Sequence, residues 1–143
     1  MRHPSADALR YLAAFATIVV GAVHLQQYGD FIADVPTIGV LFVLNALAAG
    51  FAAILLATRH ATLGALSGIA LSAGALASLV ISMTDAGLFG YTEPAFRSAT
   101  VVAVAAEAAA IVLLLGYLAA RRRAAPKRLD RAERERVVLT RTA

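Results

Sequence analysis

Four long apolar stretches dominate the hydropathy pattern of this 143-residue chain. They cover residues 9–28, 36–58, 63–83 and 98–120. About 20 helical residues cross the roughly 30 Å of hydrocarbon in a bilayer, so each stretch is long enough to span it. Short connections require that successive helices pack as neighbours. The pattern therefore predicts an all-α fold, a four-helix transmembrane bundle with up-down-up-down topology.

The polar remainder of the chain is concentrated at its C-terminal end. We expect two regions, a transmembrane domain over residues 1–120 and a basic tail over residues 121–143. Nine of the 13 Lys and Arg residues lie in that tail. The first three (Arg121, Arg122 and Arg123) directly follow the last span, where anionic lipid headgroups attract basic side chains. Because the charge is confined to a tail beside a span, it does not indicate nucleic-acid binding.

The distribution of basic residues also predicts the orientation. With both termini in the cytoplasm, Arg59 and the tail lie on the cytoplasmic side, as the positive-inside tendency favours. Arg97 is then the single basic residue in the outer loops, which carry four acids, Asp30, Asp34, Asp85 and Glu93. The sequence predicts a multi-pass protein of the cytoplasmic (inner) membrane.

The composition indicates that lipid surrounds the protein, and it excludes several kinds of site. Hydrophobic residues make up 60% of the chain and charged residues 15%, whereas soluble domains carry about 25% charged residues. The chain contains no Cys, which excludes disulfides, thiolate metal sites and Cys nucleophiles. It also contains no Trp, so Tyr and Phe must supply any aromatic residues at the membrane interface.

Five polar residues inside the predicted spans are candidates for a buried polar site. Counting along the helices places Glu107 about 15 Å and Asn45 about 13 Å from the outer surface, with Thr17 and Ser72 in the same layer. His24 lies about one turn below that surface. An ionised carboxylate at this depth costs several kcal/mol, so Glu107 must be protonated or paired. Asn45 is the partner that depth favours, and His24 is within reach if the helices tilt.

Two interpretations of Glu107 stay open at this point. It can carry a proton or bind a ligand, as acids inside membranes commonly do. Alternatively, neutral Glu107 hydrogen-bonds Asn45 or a backbone carbonyl, a structural contact worth about 0.6–2 kcal/mol.

The histidines argue against a bound cofactor. His3 and His60 lie on the cytoplasmic side, so His24 has no second histidine at its depth to hold a haem. A metal held by His24 and the outer acids has no supporting ligand spacing. We therefore predict no cofactor and no metal.

Parts of the first two spans resemble a known class of proteins. The stretches are Gly-Ala-Val-His-Leu at residues 21–25 and Thr-Ile-Gly-Val-Leu-Phe-Val-Leu-Asn-Ala at residues 37–46. They resemble small four-span bacterial membrane proteins, some of them grouped as DoxX-like. The resemblance implies a four-helix bundle and no residue-level activity.

Three functional hypotheses follow. The first is a non-enzymatic accessory or scaffold subunit that packs against a larger membrane complex or a second copy, since the sequence has no catalytic motif. The second is a small proton-coupled transporter or ion-conducting homo-oligomer that uses Glu107. The third is a redox or lipid-modifying enzyme with an outer-mouth site made of His24, Asp30, Asp85 and Glu93.

The predicted orientation can be tested directly because the chain has no Cys. A single Cys in the loop over residues 84–97 (Ala86→Cys) should react with a membrane-impermeant maleimide on intact cells. A single Cys in the connection over residues 59–62 (His60→Cys) should react after the cells are permeabilised and not before. The reverse labelling pattern would show that the termini lie outside.

Overall fold

The structure, a computed structural model, describes the backbone of residues 4–93 and 97–141 and the side chains of residues 6–93 and 97–123. The described chain contains four long helices and no β-strand. The elements are α1 (Pro4–Gln27), a single π-helical turn (Tyr28–Ile32), α2 (Ile38–Ala57), α3 (Ala61–Ser82) and α4 (Ser98–Arg141). Each α-helix contains a segment long and apolar enough to cross a membrane. The predicted all-α four-helix fold is confirmed.

The four helices form a bundle in which neighbours along the chain are neighbours in space. α1 packs against α2 and α4, and α3 packs against the same two helices from the other side. One end of the bundle contains the connection over residues 33–37 and the described loop residues 83–93 and 97, and we call it the loop end. The opposite end contains the connection over residues 58–60, and we call it the terminal end.

The first and last helices both extend past the predicted spans. Beyond Gln27 the chain continues as the π-helical turn, in which the Ala33 N–H donates to the Tyr28 carbonyl at 2.9 Å. Ile32 ends this turn and is 4% exposed. A Cβ on Gly39 would lie 2.8 Å from the Ile32 carbonyl oxygen, so glycine permits this close approach. At the other end of the chain, the backbone of α4 continues as helix through the basic tail to Arg141.

Small side chains fill the interior of the bundle, and large apolar side chains cover its exterior. Nine of the 15 buried hydrophobic residues are alanines. Phe15, Leu47, Phe51 and Val112 are each more than 60% exposed. Helices in lipid associate through close packing of small residues, because lipid solvates the large apolar ones equally well. The distribution is therefore that of a bundle surrounded by hydrocarbon.

Three glycines of α3 have different surroundings along the helix. A Cβ on Gly64 would lie 2.7 Å from the Ala52 oxygen and 2.7 Å from the Leu56 nitrogen of α2. A Cβ on Gly68 would lie 2.9 Å from a methyl group of Leu114 on α4. Gly74, further toward the loop end, has no such neighbour within 4 Å. α2 and α3 are thus in backbone contact at the terminal end and separate toward the loop end.

Two glycine-to-alanine substitutions test this difference between the two ends of α3. Gly64→Ala places a methyl group against the α2 backbone and should lower the free energy of unfolding by about 1–3 kcal/mol. Gly74→Ala adds a methyl group in open space and should leave stability unchanged or raise it by up to about 1 kcal/mol through helix propensity. Denaturant unfolding in detergent micelles measures both. Equal destabilisation by the two substitutions would contradict the separation of α2 from α3.

Candidate functional site

The space between the separated helices is a cavity of about 440 Å³ in the loop half of the bundle. All four helices line it together with the loop residues Leu88, Tyr91, Glu93 and Arg97, and most of the lining is apolar. Its volume lies within the range of about 300–1,000 Å³ typical of small-molecule sites. The polar part of the lining comprises His24, Gln27, Asn45, Ser78, Ser82, Tyr91, Glu93, Arg97, Thr100 and Glu107.

The deep wall of the cavity carries a histidine and a carboxyl group in contact. His24 of α1 is 6% exposed and Glu107 of α4 is 3% exposed. The His24 Nε2 atom lies 3.5 Å from Oε1 of Glu107, slightly beyond ordinary hydrogen-bond length. A shift of a few tenths of an ångström would close a hydrogen bond between them. Phe42 packs against the other side of the imidazole, with ring centroids 5.1 Å apart.

Local geometry determines which imidazole nitrogen carries a hydrogen. His24 Nδ1 lies 3.0 Å from the Val20 carbonyl oxygen, one turn earlier on α1. A carbonyl oxygen can only accept, so Nδ1 carries the hydrogen and donates it. In the neutral ring, Nε2 is then an acceptor directed at Glu107.

The pair therefore holds one proton in either of two ways. A protonated Glu107 can donate to neutral His24, or an imidazolium can donate to the Glu107 carboxylate, and both arrangements have zero net charge. Loss or gain of a proton leaves an uncompensated charge in an apolar interior, which costs several kcal/mol. A compensating charge in the adjacent cavity would reduce that cost, so the protonation of the pair would depend on what the cavity contains.

Asn45 of α2 completes the polar wall. Its Oδ1 atom is buried and has no hydrogen-bond partner among the described residues. A buried polar atom without a partner costs about 1–3 kcal/mol, and such groups frequently occur at binding sites. Asn45 lines the same cavity as Glu107 and His24.

A second polar group lies at the loop end, where the cavity meets the surface. We call Phe31, Tyr91, Glu93 and Arg97 the mouth cluster. The Arg97 guanidinium donates to Oε1 of Glu93 through Nη2 at 3.0 Å and Nε at 3.2 Å. It also lies over the Phe31 ring, 4.9 Å from the centroid. The Glu93 side chain is 8% exposed, so this salt bridge is partly buried and joins the loop to the start of α4.

Tyr91 keeps its proton in this cluster. Its hydroxyl donates to Oε2 of Glu93 at 2.7 Å. Burial, followed by this hydrogen bond and the Glu93 charge, raises the pKa of Tyr91 above its usual value of 10.0. Tyr91 therefore stays a neutral donor at physiological pH, and the Glu93 charge remains matched by Arg97.

The predicted site residues separate into three groups. Glu107, Asn45 and His24 line the cavity, with His24 in contact with Glu107. Thr17 and Ser72 are each 2% exposed but lie outside the cavity lining, in the tightly packed region below it. The Thr17 hydroxyl donates to the Ala13 carbonyl of its own helix at 2.8 Å.

The outer acids do not converge on one site. Glu93 belongs to the mouth cluster, whereas Asp30 and Asp85 are exposed and outside the cavity lining. Within the described residues, no three His, Asp or Glu side chains are grouped closely enough to hold a metal.

Several lining residues were not identified from the sequence. Arg97 was interpreted only as a topological charge, and Phe31 and Phe42 had no distinguishing feature among many apolar neighbours. Gln27 was equally inconspicuous, yet its Nε2 donates to the Ala99 carbonyl at 2.7 Å and joins α1 to α4. A sequence signal did exist for the mouth salt bridge, because Glu93 and Arg97 are four residues apart.

Comparison with known proteins adds no residue roles. No family model, curated protein or solved structure matches this chain at a significant level. The resemblance to DoxX-like proteins stays a prediction, and the chemistry of the site must be derived from its own geometry.

The contact between His24 and Glu107 predicts energetic coupling. The effects of Glu107→Gln and His24→Ala on the free energy of unfolding should be non-additive by about 0.5–3 kcal/mol, since each removes the other's partner. Denaturant unfolding of the two single variants and the double variant in detergent measures the coupling.

Thr17→Ala supplies the matched control. Thr17 lies seven residues from His24 on α1, about 10 Å along the axis, and bonds its own helix. Its effect should add to that of Glu107→Gln within about 0.5 kcal/mol. Full additivity of the His24 and Glu107 substitutions would contradict an interacting pair.

Proposed function

We propose that this multi-pass membrane protein is a small proton-coupled transporter. In this proposal a solute binds in the cavity and the Glu107–His24 pair exchanges a proton as it does so. The observation that carries the proposal is the position of the pair, which is buried and forms the deep wall of a cavity large enough for a small molecule. Acids inside transmembrane segments commonly mark substrate or proton pathways.

The shape of the bundle supports one-sided access in the present conformation. The cavity reaches the loop end past the mouth cluster. At the terminal end, α3 packs closely on its neighbours, because a Cβ on Gly64 would meet the α2 backbone and one on Gly68 would meet Leu114. Transport then requires a second conformation in which the terminal end opens. With both termini in the cytoplasm, the present conformation is open away from the cytoplasm.

The accessory or scaffold role stays a prediction of the sequence. The described exterior consists largely of exposed apolar side chains, which lipid covers as well as a partner helix would. No particular face is distinguished as a docking surface. The cavity and its ionisable pair are not needed for a scaffold, and they favour the transporter.

A thiol-labelling experiment tests the proposal without knowledge of the solute. Ala103 lines the cavity one turn from Glu107, so Ala103→Cys places a single thiol there. If the bundle alternates between two conformations, an impermeant thiol reagent should label this residue from either face of oriented membrane vesicles. The rate from the terminal-end face should vary with pH, and adding Glu107→Gln should abolish that variation.

Val112→Cys is the control on the same helix. Val112 is 68% exposed on the lipid-facing exterior, so the reagent should not label it from either face. Labelling of Ala103→Cys from the loop-end face alone, at every pH, would show a binding protein that does not transport.

A further inference from the structure

We propose that the cavity binds an amphipathic amine, with the ammonium head between Glu107 and Asn45 and the hydrocarbon chain in the gap between α2 and α3. The proposal names the substrate class of the site described above. It rests on the binding and proton exchange of the proposed function and does not require transport.

Hydrogen-bonding capacity at the deep wall determines the chemistry of the head. Asn45 contributes the buried Oδ1 acceptor that has no partner among the described residues. Glu107 contributes carboxyl oxygens, while His24 Nδ1 is committed to Val20. The Asn45 Oδ1 atom and the Glu107 carboxylate oxygens are acceptors, so a ligand head that supplies donors can pair with both. A primary ammonium has three N–H donors and no acceptor, as in lysine.

The charges of the cavity favour the same head. Its titratable and charged lining groups are His24 from α1, Tyr91 and Glu93 from the loop, and Arg97 and Glu107 from α4. The lining residues of α2 and α3 are uncharged. Arg97 is paired with Glu93, so it offers no unpaired cation to an anionic head. A carboxylate or phosphate head would also bring acceptors toward Glu107.

Binding of the ammonium has a defined proton balance. Before binding, the Glu107–His24 pair holds one shared proton and has zero net charge. The bound ammonium adds one positive charge, and the pair releases its proton to solvent, which leaves the Glu107 carboxylate beside the ammonium and neutral His24. The site is again neutral, and one proton is released for each ammonium bound.

The hydrocarbon chain has an apolar path to the bilayer. The exposed residues of the lining lie mostly on α2 and α3: Leu41, Leu44, Ala48, Ala70 and Gly74. Leu44 is 53% exposed, and it lies six residues into α2, about 9 Å along the axis. Gly74 lies about 12 Å from the end of α3. The gap therefore faces hydrocarbon, and a chain that leaves through it stays out of water.

Aromatic rings flank this path. Phe42 lies beside His24 at the deep wall, and Phe31 and Tyr91 lie at the mouth. Aromatic faces attract ammonium groups as well as alkyl chains, which supports an amine moving between the mouth and the deep wall.

The experiment uses the full chain in lipid nanodiscs and three probes with the same eight-carbon chain. Octylamine, octanol and octanoate differ only in the head, so calorimetry on each compares heads at constant chain. Empty nanodiscs correct for partition into lipid. A pH indicator in weak buffer counts the protons released.

Octylamine should bind at least tenfold more tightly than octanol or octanoate and release about one proton. Its affinity should rise about tenfold for each pH unit, as long as the pair holds its proton and the amine, with a pKa near that of Lys, stays protonated. Glu107→Gln should abolish the proton release and weaken binding at least tenfold. Asn45→Leu should weaken binding about tenfold while leaving proton release intact.

The chain path has its own variant. Gly74→Leu fills the gap between α2 and α3. The native protein should bind octylamine more tightly than butylamine, and this substitution should remove that difference. Thr17→Ala, below the cavity, should change neither affinity nor proton release.

Each of the other outcomes would contradict one part of the proposal. Tighter binding of octanol, or of octanoate, would overturn the amine head. Unchanged binding in Gly74→Leu would overturn the chain path. If octylamine binds with proton release but Ala103→Cys is labelled from one face alone, the amine site stands and transport fails. If Ala103→Cys is labelled from both faces but octylamine does not bind, transport stands and the amine site fails.

Discussion

The close approach of α2 and α3 at Gly64 is the constraint on which the rest of this structure depends. Backbone atoms of α2 occupy the position where a side chain on residue 64 would begin, so the two helices are in contact there. They separate toward Gly74, where no neighbour fills the space. This contact, together with that of Gly68 with Leu114, closes the bundle at one end, and the cavity lies between the helices where they separate.

The buried ionisable pair, His24 and Glu107, lies in the open half of the bundle, beside the cavity. Thr17 and Ser72, in the closed half, are hydroxyl side chains, and the Thr17 hydroxyl bonds its own helix. A carboxyl group cannot be accommodated by a bond to its own helix in this way, since its ionised form in a dry interior costs several kcal/mol. Glu107 is instead placed against His24 at the cavity wall, where one proton keeps the pair neutral. In the mouth cluster, likewise, the positive charge of Arg97 is paired with the negative charge of Glu93.

Depth in the membrane was the site property most readable from the sequence. The helical rise is constant, so residue counting placed His24 near one surface and Glu107 and Asn45 deeper. The angular position of each helix and its tilt were not readable in the same way. Depth favoured Asn45 as the partner of Glu107, whereas the bundle brings His24 to 3.5 Å from Glu107 and leaves the Asn45 Oδ1 atom without a partner among the described residues. The sequence likewise does not show that Gly64 contacts the α2 backbone whereas Gly74 faces a cavity.

The sequence by itself determined that this is an all-helical membrane protein with four apolar helices and one acid deep in the last of them. Length, apolarity and residue count suffice for this, because a bilayer restricts spanning chains to a few solutions. The tertiary structure decided which polar residues meet, where the helices separate and which acids are exposed. These properties depend on contacts between residues far apart in the chain, such as Gly64 with Ala52 or His24 with Glu107, and on helix orientations that no single helix determines.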